Sequence, residues 1–199
     1  MSVFVVGNGE SRLVFDLSTF PKDNIIGCNA LHRDITVPHL VCCDRKMVDE
    51  AIKNPNNRDT IIYTRPEWLS FYSKQPNVKS VPELPYKGTQ RQDELWHWGS
   101  GPLAILLACT LGHDEITIMG FDLWSADYRV NNVYKNTENY AGTESAAVDP
   151  SYWIYQIAKI FELYPNKKFI IVSERIPPLW NFSHVTHLTI NSFTSILVQ

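Results

Sequence analysis

The stretch Leu103-Ala104-Ile105-Leu106-Leu107-Ala108-Cys109-Thr110-Leu111 has helical length and is apolar almost all the way round. A helix without a polar face has to be covered on every side, which places it centrally in a layered fold. Ser100 and Pro102 suit its first turn, and Gly112 suits its C-terminal cap. Around this helix, short apolar runs alternate with segments of helical spacing. The runs predict strands over 2–6, 24–28, 39–43, 60–63, 115–119 and 168–172, with weaker ones over 78–81 and 186–190. Helices are predicted over 46–53, where Met47, Val48, Ala51 and Ile52 share a side, and over 151–164. Breaks fall at 54–57 and at Pro177-Pro178, and Pro66 suits the first turn of a further helix. The alternation implies an α/β fold of Rossmann-like build, its mostly parallel sheet covered by helices on both faces. The expected organisation is one domain over 1–199, since a domain runs to about 100–200 residues. Residues 123–150 are polar and aromatic with no period, and read as a lid-like insertion.

Composition removes several function classes. The formal charge is -3 and there is no lysine- or arginine-rich run, so nucleic acid is not an expected partner. The first residues lack a basic segment and a long apolar segment, so no signal peptide is expected. No apolar run approaches the roughly 18 residues of a membrane span. A cytoplasmic placement is expected, with Cys28, Cys42, Cys43 and Cys109 as reduced thiols that form no C-x-x-C pair. No Asp-x-Asp occurs, and neither a metal nor another cofactor is expected.

In a parallel sheet, ligands bind beyond the carboxyl ends of the strands. That rule selects the turn Gly7-Asn8-Gly9-Glu10-Ser11, then Asn29, Asp44, Asp122 and Ser173. The glycines Gly7 and Gly9 let backbone N–H groups approach an anion or a sugar, and a helix is expected to follow the turn. A dinucleotide fingerprint needs a third glycine where Arg12 stands and an acidic residue where Asn29 stands, which disfavours NAD. The Asn29 amide offers donor and acceptor to a base or ribose; the plain alternative is a turn residue. Gly99-Ser100-Gly101 opens the buried helix, as an anion or ribose contact or as an ordinary cap. Asp122 is a ligand contact or a loop anchor. His97 is the histidine nearest these segments in sequence.

These motifs in this order, with Cys28-Asn29, the helix ending Leu111-Gly112 and the run Ile116-Thr117-Ile118-Met119-Gly120-Phe121-Asp122, resemble the bacterial sialyltransferases of the single-Rossmann-domain type. Wider relatives are the motility accessory factor family and the archaeal-type hydroxymethylpterin diphosphokinases. The resemblance covers 1–45 and 95–165. It implies that Asn8 and Asn29 contact a cytidine nucleotide and its phosphate, and that Ser100 and Gly101 contact the ribose and base region. It also implies that tyrosines of the lid hold the phosphate, with Tyr128 and Tyr134 as candidates. The family's general base is a histidine where Asp149 stands here, so Asp149 is either a substitute base or a helix cap. The expected function is therefore a glycosyltransferase-like protein, related to sialyltransferases, that binds a nucleotide sugar without metal. The alternatives are a nucleotide-binding protein without catalysis and a pterin diphosphokinase-like transferase. The expected partner is a nucleotide or nucleotide-sugar ligand, with a homo-oligomer among the options.

Overall fold

Each apolar run ends in a residue that turns the chain, and the runs between those turns pair side by side. A computed structural model describes residues 2–125 and 127–197. The strands are β1 (Ser2–Val6), β2 (Ile25–Cys28), β3 (His39–Val41), β4 (Ile61–Thr64), β5 (Val78–Ser80), β6 (Glu115–Met119), β7 (Lys168–Val172) and β8 (Val185–Leu188). They form one sheet in the order β5-β4-β3-β2-β1-β6-β7-β8. Every neighbouring pair is parallel. The helices are α1 (Arg45–Lys53), α2 (Ser100–Thr110), α3 (Ser151–Leu163) and α4 (Ile190–Leu197).

Side chains of a strand alternate between faces, so β1 feeds two cores. Val3 and Val5 join the cluster that holds Leu103–Cys109 of α2 and Ile157, Ile160 and Phe161 of α3. Val6, with Phe4 packed beside it, joins the cluster of Met47, Val48 and Ala51 from α1 and Phe193 from α4. Helix α2 lies on β1, β2, β3 and β6 and is covered by α3. That position explains its composition, because both its sheet side and its outer side are dry.

Three expectations are corrected. The glycine turn is followed by a 3₁₀ turn over Glu10–Val14 rather than an α-helix. There Arg12 is buried while Leu13 and Val14 are exposed, so the segment has no apolar face with which to dock a helix. The segment at Pro66 is likewise a 3₁₀ helix, Pro66–Tyr72. The chain end holds a helix that periodicity missed: the Thr189 hydroxyl accepts from Ser192 N–H and the Glu174 carboxylate accepts from Ile190 N–H, which together start α4. Residues 123–150 carry no helix and a single antiparallel bridge, Arg129 to Ala146, among the described residues. No helix among them is long and apolar enough to cross a membrane.

Burial holds the His32, His39 and His113 imidazoles below their usual protonation range, with Glu50 partly offsetting this at His32. A histidine with a depressed folded pKa takes up its proton first in the unfolded chain. Stability is then full above the ordinary value of about 6.5 and is lost as pH falls from there through the depressed value. Denaturant titrations from about pH 7.5 down to about pH 5 should show a steady loss of unfolding free energy; a flat profile contradicts this account.

Candidate functional site

Strands are added on one side of β1 through β5 and on the other from β6 onward. Loops leaving adjacent strands at such a reversal part from one another and open a crevice at the strands' carboxyl ends. A cleft of about 270 Å³ lies there. Strand β1 supplies Gly7, Asn8 and Gly9, and β6 supplies Gly120, Phe121 and Asp122. Asn29 follows β2, Cys43 and Asp44 follow β3, and Arg65 follows β4. The start of α2 adds Gly99, Ser100 and Gly101, and Trp153 of α3 completes the wall. A second cavity of about 350 Å³ adjoins it, sharing Phe121, Asp122, Leu123 and Asn131 and reaching Ser11, Trp124 and Arg175.

Backbone contacts hold the centre of the cleft. Gly7 N–H donates to Met119 O and Gly9 N–H to Gly120 O, both at 2.8 Å. The loops come so close that a Cβ on Gly7 would collide with the Gly120 carbonyl oxygen. Asp122 secures the same turn: its carboxylate accepts from Ser11 N–H at 2.7 Å and from the Ser11 hydroxyl. Asp122 anchors the turn and also lines both cavities. Ser11 therefore faces the second cavity rather than the cleft.

Ser100 joins three elements. Its hydroxyl donates to Asn29 Oδ1 at 2.9 Å and accepts from Cys43 N–H at 3.0 Å, which ties the start of α2 to the ends of β2 and β3. The N–H groups of the first turn have no intrahelical acceptor and stand at the positive end of the helix. Gly99 has no side chain to keep α3 away; a Cβ there would sit 2.7 Å from Trp153 Nε1. Asn29 adopts a left-handed backbone, φ 48°, which asparagine tolerates better than most residues. Asn8 is 8% exposed and donates from Nδ2 to Cys28 O and to the Tyr140 hydroxyl. Its Oδ1 is buried with no donor among the described residues. Such an acceptor is costly unless a ligand or water supplies the proton.

Burial pushes the Cys43 thiol up to about 11 and the Cys28 thiol higher still. Burial thus disfavours the thiolate, the nucleophilic form, at both cysteines of the cleft. Among the described residues, no three His, Cys, Asp or Glu side chains converge as a metal site.

The three residues expected to do chemistry do not line this cleft. Tyr134 is buried behind it: its hydroxyl donates to Asp34 at 2.8 Å and accepts from Arg12 at 2.7 Å. Burial pushes that phenol far up, and it works as a strut between lid and first turn. Tyr128 is 85% exposed and points into solvent. Asp149 is exposed and its carboxylate accepts from Ser151 N–H and Oγ at 2.9 and 3.0 Å, shaping the entry to α3. His97 stands outside the cleft, with Arg91 donating to its ring at 3.1 Å.

Sequence reasoning missed Arg65 and the part played by Trp153. Arg65 stands at the carboxyl end of β4, so the strand-end rule carried to that strand reaches it. Trp153 had no such signal: it stood out only as one aromatic among many in 123–155, and its approach depends on Gly99, far away in sequence.

Fold and cleft together define a doubly wound parallel α/β protein with a ligand-sized crevice at its switch point. No protein-family model matches the sequence, and none of the curated proteins does. Among solved structures the chain is similar to the sialyltransferase CstII from Campylobacter jejuni, solved in complex with a substrate analogue, CMP-3FNeuAc. The TM-score is 0.47 at 14% identity, covering 85% of this chain and 79% of that one.

Two substitutions test the construction of the site. Ser100→Ala strips Cys43 N–H of its acceptor and should cost about 1–3 kcal/mol in urea unfolding. Gly7→Ala forces the β1 and β6 loops apart and should cost about 1–3 kcal/mol or more. Wild-type stability in either variant contradicts the packing described.

Proposed function

We propose that this chain is a glycosyltransferase-like protein, related in kind to sialyltransferases, that binds a nucleotide sugar of cytidine type in the switch-point cleft without a metal ion. One observation carries the reading: Gly7-Asn8-Gly9, Asn29 and Ser100-Gly101 lie far apart in sequence yet line one cleft. They are the segments through which the motif resemblance assigns nucleotide contact. The cleft's volume is near the lower end of small-molecule sites, roughly 300 Å³, which suits a nucleotide monophosphate. The adjoining cavity is then the place for the sugar or its acceptor. Asn29 Nδ2 has no acceptor among the described residues, which leaves it as a donor for the ligand's polar edges. Residues 123–150 form the lid, docked at the first turn where Val133 N–H donates to Asn8 O at 2.8 Å.

Transfer needs a group to take the acceptor's proton. Of the two aspartates on the cleft wall, Asp122 is held by Ser11, which leaves Asp44 uncommitted among the described residues. Asp44 occupies the residue before α1 without capping that helix. A second reading, binding without transfer, is favoured by the absence of Asp149, Tyr128 and Tyr134 from the cleft lining.

A thermal-shift series decides the ligand: CMP should raise the melting temperature in proportion to the logarithm of its concentration, equally with and without EDTA. A shift with purine nucleotides and none with CMP refutes the cytidine assignment, and loss of the CMP shift in EDTA refutes the metal-free one. Asn29→Gly keeps the left-handed backbone, removes the amide, and should weaken CMP roughly tenfold. In a transfer or donor-hydrolysis assay, Asp44→Asn should lower turnover by roughly 10²-fold or more while Asp149→Asn leaves it unchanged. The reverse pattern restores Asp149 as the base, and no turnover in wild type under any donor supports the binding-only reading.

A further inference from the structure

We propose that Arg65 grips the phosphate of the ligand, taking over the work that lid tyrosines do in the family this sequence resembles; the inference rests on the nucleotide reading of the cleft. The sequence sets the side chain's course. Arg65 precedes Pro66, and a residue before proline is held to extended backbone; here φ is -62° and ψ 143°. The chain leaving β4 therefore projects Arg65 to the cleft wall, near Ser100 and Gly101 at the start of α2.

The guanidinium is fixed before any ligand arrives. Its Nε donates to Cys43 O at 3.2 Å, Nη2 to Trp98 O at 3.0 Å and Nη1 to Trp96 O. The Trp96 ring lies against it, 4.9 Å from centroid to Cζ. Trp98 is fully buried, so one of these tethers comes from the rigid core. All three acceptors are neutral carbonyls. Among the described residues, no carboxylate makes an ion pair with Arg65 within 4.0 Å. Arg12 and Arg33, by contrast, are paired with Asp34 and Glu50. Arg65 thus keeps its whole charge, and three of its five N–H donors are engaged while two remain.

A half-buried cation that is tethered, uncompensated and lining a cleft calls for an anion. Gly99, Ser100 and Gly101, which open α2, line the same space, and the first-turn N–H groups of a helix have no intrahelical acceptor and favour an anion. Asn8, on the same wall, keeps a buried Oδ1 without a donor among the described residues. Tyr128 and Tyr134 stand away from the cleft, as described above. Arg65 and the α2 amides are therefore the groups positioned to carry the negative charge of a phosphate monoester.

Isothermal titration with CMP and with cytidine, which lacks the phosphate, separates this role from a general one. Wild type should prefer CMP, and that preference should weaken as salt rises. Arg65→Gln should lower CMP affinity on the order of tenfold or more while cytidine affinity stays within about twofold, which also shows that the variant folds. Arg65→Lys keeps a point charge without the fork and should retain part of the CMP preference, so it serves if the glutamine variant does not fold. Equal losses for CMP and cytidine, or an unchanged preference for CMP, overturn the assignment. If wild type binds neither, the cytidine reading fails by itself, and inorganic pyrophosphate then tests Arg65 alone. Pyrophosphate binding that weakens in Arg65→Gln supports the inference, and no pyrophosphate binding by wild type overturns it.

Discussion

Helix α2 has no polar face, so water must be kept from all of it, and that requirement organises the mouth of the sheet. The sheet covers one side through β1, β2, β3 and β6, and α3 covers the other. Once seated, α2 can begin in one place, over the carboxyl ends of the strands beneath it. Ser100 then fixes that start to within a hydrogen bond of β2 and β3. Hydrophobic burial supplies the energy and a single hydroxyl supplies the register. The positive end of a rigid helix is thereby held against the crevice opened by the reversal of strand order.

A second set of contacts holds the loop of residues 123–150 to that mouth. Arg12, buried at the first turn, shares Asp34 with the Tyr134 hydroxyl. The guanidinium of Arg33 lies over the Tyr134 and Tyr140 rings at 5.2 and 5.6 Å and pairs with Glu50. Tyr140 in turn accepts from the Asn8 amide and Ala30 N–H. The Tyr134 and Tyr140 phenols thus tie the loop to the first turn, and burial pushes both up. The loop is held by aromatic rings and arginines at its base, while the Tyr128 ring is exposed and its carbonyl accepts from Ala147 N–H.

Two arginines differ in burial and in their partners: Arg12 is buried and Arg65 half-buried. Arg12 is neutralised by Asp34 and lies outside the cleft, so its charge serves the fold. Arg65 is tethered only by carbonyl oxygens and lines the cleft, so its charge is left for whatever enters. The same contrast separates the aspartates. Asp122 closes on Ser11, whereas Asp44 has the backbone of a helix cap and does not cap. Which charged group holds the fold together and which is left open is decided by partners, not by residue type.

The sequence by itself determined the parallel sheet, the buried central helix that Ser100 opens, and the strand ends at which Gly7, Asn8 and Asn29 stand. Those features follow from periodicity, which is a local property of the chain. It also offered Asp149 as the cap of a helix with Pro150 in its first turn; the structure makes Pro150 the residue before α3, with Asp149 accepting from Ser151 N–H. It missed α4, because the hydroxyl and carboxylate that start that helix come from Thr189 and from Glu174 on a distant turn. It put a helix after Gly9, because nothing local says that Arg12 will be buried and Leu13 exposed. Tertiary structure alone decided that Tyr134 faces Arg12 and Asp34, that Trp153 reaches Gly99, and that Arg65 finds carbonyls rather than carboxylates. The physical reason is the same in each case: a side chain's partner is set by which distant strand end folds beside it, and periodicity holds no record of that.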